Sequence, residues 1–160
     1  GGVFILDEVD NANPNVLTSL NNLLDGGTNS AFPDGLVDRH INFKVIACAN
    51  TYGKGADRVY VGRNQLDGAT LNRFAFLNFD YDETAELDWA GRDQLTWIKR
   101  VQAIRHAVFH HKLRMVVSPR ASIHGAEMLR QGKLPQPVIE DMLIWQGCNM
   151  DDKEKILRSI

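Results

Sequence analysis

The hydrophobic residues in the first half of the chain fall into short uninterrupted runs, separated by polar and glycine-rich stretches. Residues 3–6 form one such run, and residues 43–49 form a second. Consecutive apolar residues of this kind are typical of a parallel strand that is covered on both faces. A third run at 74–81 alternates in part and is also predicted to be a strand.

Helical signals lie between these strands. Asn13 and Pro14 make a favourable helix start, because Asn caps the helix and Pro suits its first position. The helix is expected to end at Asp25, just before two glycines. A turn is expected at 33–35, with short strands near 36–37 and 41. After a polar loop at 51–62, a short helix is expected at 66–73.

From residue 82 the apolar residues follow helical spacing throughout, and no further strand is predicted. The expected helices are 83–90, 92–113, one that begins at Ser118-Pro119 and stops at Gly132, 138–145 and 153–160. The sequence therefore predicts an α/β part at 1–81, followed by an all-helical part at 82–160.

Composition narrows the class of protein. The chain has 160 residues, 24% of them charged, and a net charge of −2, so a broad basic surface for nucleic acid is not indicated. No apolar run reaches the roughly 18 residues needed to cross a bilayer, and no signal peptide is expected within these residues. Cys48 and Cys148 are far apart and are expected to be reduced thiols of a cytoplasmic protein. Because the chain starts on a buried-type strand without Met, we expect it to be a piece of a longer protein.

Two adjacent carboxylates, Asp7 and Glu8, follow the first strand. A buried unpaired carboxylate is costly, so this pair needs water, a cation or a partner. The carboxyl ends of strands line the ligand crevice in open α/β sheets, which favours a metal-nucleotide site here. An ordinary exit from strand to loop is the alternative.

Asn50 ends the second strand, and parallel pairing would bring it to the same edge as Asp7 and Glu8. Its amide could hold a water molecule or a phosphate oxygen. The alternative is an Asn that merely forms a turn.

Three arginines are candidates for contacts with phosphate. Arg73 ends a short helix, where it could serve the helix dipole or project into a neighbouring subunit as an arginine finger, and Arg63 competes for the finger role. Arg120 follows the helix start at Ser118-Pro119, where a cation is unfavourable by about 0.3–1 kcal/mol unless an anion lies nearby. An exposed arginine that tolerates this penalty is the alternative.

The order of these features resembles the second half of an AAA+ ATPase. The closest similarity is to the MoxR-type and dynein-related subgroup, which includes the cobaltochelatase ATPase subunit. The resemblance runs to about residue 132 and rests on four segments: FILDEVDNA resembles Walker B, VIACANT resembles sensor 1, LDGATLNRF resembles the arginine-finger segment and MVVSPRA resembles sensor 2.

The resemblance implies ATP and Mg²⁺ as cofactors and a role for each residue. Asp7 would hold Mg²⁺, Glu8 would deprotonate the attacking water and Asn50 would help to place it. Arg73 would act on the next protomer, and Arg120 would sense the γ-phosphate from a helical lid.

The resemblance also implies a ring, usually a hexamer, that remodels a client, with a von Willebrand A domain protein as a possible partner. Neither a membrane nor nucleic acid is expected as a partner. The chain lacks the G-x-x-x-x-G-K-[S/T] motif of the family's P-loop, so we expect it to be inactive alone. Two alternatives stay open: a non-hydrolysing scaffold or interaction module, and a nucleic-acid motor or loader on the same fold.

Overall fold

The computed structural model describes residues 1–160, apart from the side chain of Ser19. The chain divides into two compact units, Gly1–Leu77 and Asn78–Ile160. The first unit is mixed α/β and, among the described residues, the second is entirely helical. The predicted α/β class followed by a helical region is confirmed.

The first unit alternates strands with short helices. A 3₁₀ turn at Val9–Asn11 follows its first strand. In chain order the elements are β1 (Val3–Leu6), α1 (Pro14–Ser19), α2 (Asn21–Leu24), β2 (Asn29–Phe32), β3 (Gly35–Asp38), β4 (Lys44–Ala47) and α3 (Gly68–Leu71).

Two small sheets organise this unit. β1 and β4 pair in parallel, with Val3 opposite Lys44 and Leu6 opposite Ala47, as the two apolar runs predicted. β2 and β3 form an antiparallel hairpin that turns at the predicted 33–35 position. Only the first of the two short strands expected after this turn forms, because Ile41 lies outside any strand and is exposed.

The predicted helix after Asn13 is interrupted. The Asn13 side chain caps α1 by accepting a hydrogen bond from the backbone N–H of Asn15 at 3.0 Å. The chain then breaks at Leu20 between α1 and α2. Asn21 and Asn22, which follow the break, are weak helix formers because their side chains compete for backbone hydrogen bonds.

Two further predictions about the strands are wrong. Residues 74–81 form no strand, and the side chains of Leu77 and Phe79 are 83% and 92% exposed. In addition, β1 and β4 were expected to be covered on both faces, yet Val3 and Ile5 are exposed. A strand needs a neighbour to accept its ladder of hydrogen bonds, and the described sheet of β1 and β4 has two strands only.

The apolar core of the first unit is small. Its buried residues are Val9, Leu17 and Leu66, and Leu6, Ala12, Ala47 and Leu71 pack against them. This core lies directly beneath the ends of β1 and β4, so it supports the segments that follow these strands.

The second unit is a helical bundle. Its elements are α4 (Glu83–Ala90), a 3₁₀ turn (Arg92–Gln94), α5 (Leu95–His110), α6 (Pro119–Gln131), α7 (Gln136–Leu143) and α8 (Met150–Leu157). The predicted apolar face of α5 is buried from Ile98 to Val108, whereas its first residue, Leu95, is about half exposed. As predicted, α6 starts after Ser118 and ends at Gly132, which has a positive φ of 65°.

A buried carboxylate joins three helices of this bundle. Glu86 of α4 is fully buried and accepts hydrogen bonds from both terminal nitrogens of Arg105, at 2.8 and 2.6 Å. Gln102 and Ser122 donate to the same carboxylate. Burial raises the pKa of Glu86, but the hydrogen bonds and the charge of Arg105 outweigh burial, so the net shift of the pKa is downward.

In the part of the chain that the structure describes, no helix combines the length and the apolar character needed to traverse a bilayer.

Candidate functional site

The ends of β1 and β4 stay paired beyond the strands themselves. The backbone N–H of Cys48 donates to the carbonyl of Leu6 at 2.8 Å, and the N–H of Val9 donates to the carbonyl of Cys48 at 2.9 Å. The segments that carry Asp7 and Asn50 therefore leave the sheet side by side, at its carboxyl edge.

Asp7 and Glu8 form a tight turn at this edge. The Oδ1 atom of Asp7 accepts the backbone N–H of Glu8 at 2.9 Å, while its Oδ2 atom has no partner among the described residues. Glu8 has left-handed backbone angles, with φ at 49° and ψ at 43°. A residue with a side chain pays about 1–3 kcal/mol for such a conformation, which persists only where the surroundings enforce it.

Asp10 accepts hydrogen bonds from three residues of the site. Its side chain is fully buried, and its Oδ2 atom accepts hydrogen bonds from the backbone N–H groups of Asn50 and Thr51, at 3.1 and 2.9 Å. The hydroxyl of Thr51 donates to the same oxygen at 2.8 Å. The other oxygen, Oδ1, accepts a hydrogen bond from Arg63 at 3.3 Å. A buried carboxylate is stable only when it is surrounded by donors in this way.

Asp10 is not among the site residues predicted from the sequence. A signal was present, because Asp10 is the third carboxylate within four residues and is flanked by the apolar Val9. A carboxylate beside an apolar residue is a candidate for burial, and a buried carboxylate needs hydrogen-bond donors or a positively charged partner.

Arg63 supplies that positive charge. Its side chain is 13% exposed, and its Nη2 atom lies 3.4 Å from the Oε1 atom of Glu8 while Nη1 contacts Asp10. Its guanidinium carbon lies 5.9 Å from the centre of the Tyr60 ring. The structure therefore brings Arg63, and not Arg73, to Glu8.

Arg73 lies elsewhere on the first unit. It follows the end of α3 and forms an ion pair with Asp25, the residue after α2, through Nε to Oδ1 and through Nη2 to Oδ2 at 3.3 Å. Its Nη1 atom donates to the carbonyl of Ala69 at 2.7 Å. The hydrogen bond from Arg73 lowers the pKa of the exposed Asp25 below its usual value.

The remaining two candidates are both exposed. The backbone of Asn50 is fixed by Asp10, but its side-chain amide has no hydrogen-bond partner within the described chain. Arg120 lies in the first turn of α6 in the second unit, behind the N-cap residue Ser118, whose side chain makes no capping bond. Like the amide of Asn50, the Arg120 guanidinium contacts no partner in the part of the chain described.

The side chains at the edge of the sheet could provide one ligand for Mg²⁺, but they do not form a complete coordination shell. Mg²⁺ prefers oxygen ligands, keeps several waters and is usually held by one or two carboxylates together with phosphates. The partnerless Oδ2 atom of Asp7 suits that role. Among the described residues, no group of three or more His, Cys, Asp or Glu side chains is arranged to hold a metal ion.

Comparison with known families gives one result. Residues 1–74 match the family model of the AAA domain, dynein-related subfamily. The match supports an AAA+ ATPase, with the nucleotide binding that this family has in general. It covers slightly less than half of the chain and includes Asp7, Glu8, Asn50 and Arg73, but not Arg120.

No curated protein and no solved structure matches the chain. The narrower resemblance to MoxR-type proteins and to the cobaltochelatase ATPase subunit stays a prediction.

Proposed function

We propose that this chain supplies the water-activating part of an Mg²⁺–ATP site in an AAA+ ATPase that remodels a client protein or complex. One observation carries the proposal: the segments bearing Asp7, Glu8 and Asn50 lie together where two parallel strands end. This edge of the sheet falls within the residues that match the AAA domain.

Each side chain at the edge has a distinct task in the proposed reaction. When bound, Mg²⁺–ATP supplies the phosphoryl group that is cleaved. Asp7 would hold the metal ion, largely through water, with its free Oδ2 atom. Glu8 takes a proton from the attacking water on its carboxylate, and the unpaired amide of Asn50 orients that water.

Two arginines have proposed contacts with phosphate. Arg73 acts as an arginine finger on the next protomer of a ring, usually a hexamer in this family, and leaves Asp25 when it does so. This ion pair joins Arg73, whose side chain is 24% exposed, to the half-exposed Asp25, so the finger role requires that these contacts be broken. For Arg120 the proposed role is contact with a γ-phosphate, because an anion would suit the positive end of α6. A von Willebrand A domain protein is the proposed partner.

The phosphate cradle must come from a P-loop, and the motif for one is absent from these 160 residues. A P-loop contributes a lysine and a row of backbone N–H groups to phosphate binding. We therefore propose that another polypeptide segment provides it, and that the chain alone does not turn over ATP.

The test is ATP hydrolysis by the ATPase that contains this chain and a P-loop. We expect Glu8→Gln to bind ATP normally and to lose about 10²–10⁴-fold in turnover, the usual contribution of a positioned base. The exposed Asp34, in the turn between β2 and β3, serves as a control, because Asp34→Asn should keep full turnover. Full turnover in Glu8→Gln would refute the proposal, and no turnover in any form would favour a non-hydrolysing scaffold.

A further inference from the structure

Arg63 joins two carboxylates with different surroundings. One terminal nitrogen contacts the fully buried Asp10 at 3.3 Å, and the other contacts the half-exposed Glu8 at 3.4 Å. A guanidinium can do this because it is planar and its donors point in fixed directions. A lysine ammonium, which is a single point charge, would have to choose between the two carboxylates.

The Asp10 end of this link is rigid. The other oxygen of Asp10 is occupied by Asn50 and Thr51, and the carbonyl of Asp10 accepts the backbone N–H of Asn64 at 2.7 Å. Arg63 is therefore held from two directions, through its guanidinium and through its neighbour in the chain. The carboxylate of Glu8, in contrast, is bound by Arg63 only, among the described residues.

The same carboxylate closes the loop at 52–62. Thr51 enters the loop and Arg63 leaves it, and both are bonded to Asp10. A movement of this loop that pulled Arg63 away would release Glu8 at the same time. The position of the Glu8 side chain therefore depends on the contacts that hold the two ends of the loop together.

These contacts argue against a role for Arg63 as a finger. An arginine finger must extend from its own subunit into a neighbouring site. The Arg63 side chain is largely buried, and both its terminal nitrogens bind carboxylates of its own chain. Arg73 also binds its own chain, through Asp25 and the carbonyl of Ala69, but its side chain is more exposed and its carboxylate partner is half-exposed and not buried.

We propose that Arg63 is a positioning residue that acts within its own protomer: anchored on Asp10, it fixes the Glu8 carboxylate for proton transfer. The inference rests on the proposed function, because it assigns Glu8 as the base. By holding Oε1, Arg63 leaves Oε2 of Glu8 as the oxygen that takes the proton. The guanidinium itself touches neither water nor phosphate in this role.

The test separates action within a protomer from action between protomers. In the P-loop-containing ATPase, we expect Arg63→Ala to lower kcat by about 10- to 100-fold with little change in KM for ATP, as when a group that orients a reactive residue is lost. Arg58→Ala, in the same loop and exposed, is the matched control and should keep the normal kcat.

Mixed assemblies give the sharper measurement. A mixture of Arg63→Ala and Glu8→Gln subunits should show no more activity than the Arg63→Ala subunits contribute, because no protomer then holds both groups. Arg73→Ala mixed with Glu8→Gln should recover activity, since a finger acts across the interface. Recovery in the Arg63→Ala mixture, or an unchanged kcat in Arg63→Ala alone, would overturn the proposal. Full activity in Glu8→Gln would instead refute the function on which it rests.

A second variant guards against misfolding. Arg63→Ala leaves the buried Asp10 without its cation, so the double variant Asp10→Asn/Arg63→Met is made in parallel. It should fold and show the same loss of kcat, and a normal kcat in this folded variant would contradict the role of Arg63.

The rate of trypsin cleavage in the loop at 52–62 tests the same contacts without nucleotide. Trypsin cuts after Lys54 and Arg58, which lie within the loop that Asp10 closes. We expect cleavage at both sites to be faster in the double variant than in the wild type, and faster than in Glu8→Gln. Equal cleavage rates would show that Asp10 and Arg63 do not close the loop.

Discussion

Asp10 and Glu86 lie in different units, but both are fully buried carboxylates that pair with an arginine. Each arginine also contacts a further group, Glu8 for Arg63 and the carbonyl of Val117 for Arg105. Asp10 is bound by Arg63 and two backbone N–H groups, and Glu86 by Arg105, Gln102 and Ser122. Removing one partner of such a pair typically costs about 3–5 kcal/mol, since the other charge is left buried and unpaired. These two carboxylates therefore act as fixed points around which loops and helices are arranged.

Gly125 gives a prediction at the scale of a single atom. A Cβ atom at this position in α6 would collide with the indole ring of Trp97, which is held by hydrogen bonds from its Nε1 atom to the carbonyls of Ala121 and Ser122 at 3.1 and 3.2 Å. We expect Gly125→Ala to lower the free energy of unfolding by about 1–3 kcal/mol, measured by urea denaturation.

The control for this substitution is Gly62→Ala, because a Cβ at Gly62 meets no atom within 4 Å. Its stability should be nearly that of the wild type. If Gly125→Ala were instead stabilising, as alanine is in an exposed helix, the Trp97 ring would have to be free to move aside.

Among the helices and strands, the sequence correctly predicted those features that depend on residues close together in the chain. The spacing of Ile98, Val101 and Ile104 identified the buried face of α5, and Ser118 and Gly132 marked the ends of α6. The apolar runs of β1 and β4 also identified strands. Helix periodicity and capping depend on neighbours within a few residues, so they can be seen in a single chain.

The sequence failed where partners are distant. Whether 74–81 forms a strand depends on a neighbouring strand, because β-structure is set more by context than by propensity. The link from Asp10 to Arg63 spans 53 residues and passes through an irregular loop. The sequence predicted which side chains follow β1 and β4, but not which arginine reaches Glu8.

The contact between the 3₁₀ turn Arg92–Gln94 and α6 gives a prediction of pH dependence. A hydrogen bond from Arg130 lowers the pKa of Asp93 from 3.8 to about 2. Because the folded chain holds this carboxyl in its charged form, the contact stabilises the fold above pH 4 and is lost as the pH falls from about 3.8 to about 2.

Comparison with Asp93→Asn isolates this effect. The difference in unfolding free energy between the wild type and Asp93→Asn should shrink as the pH falls from 7 to 2. Glu86 also loses stabilisation in acid, but it is present in both proteins and cancels. A difference that stayed constant over this range would show that Asp93 is not held in its charged form by Arg130.

At the scale of the whole molecule, the apolar cores of the two units differ greatly in size. The first unit has three buried apolar residues in its core. The core of the second unit is far larger and comprises Ala90, Trp97, Ile98, Val101, Ile104, Ala107, Val108, Val117, Ala121, Ala126, Ile139, Ile144, Trp145 and Ile156. Since burial of apolar surface is the main stabilising contribution, the second unit should hold most of the stability.

Hydrogen exchange can measure this difference within one sample. We expect the backbone amides of α5 to exchange far more slowly than those of β1 and β4, because local opening of the first unit exposes little apolar surface. Rates corrected for intrinsic exchange provide the internal control. Equal protection in α5 and in the two strands would mean that the chain unfolds as one cooperative body.

The exposed apolar strands have a consequence for the behaviour of the chain in solution. Val3, Phe4 and Ile5 in β1 are 59, 42 and 59% exposed, and the backbone edges of a two-stranded sheet can pair with another molecule. An exposed apolar edge, even on a strand of four residues, is a template for aggregation. Turbidity and the apparent melting temperature should therefore depend on protein concentration and on scan rate, so the thermal stability of this chain is in part a rate of self-association.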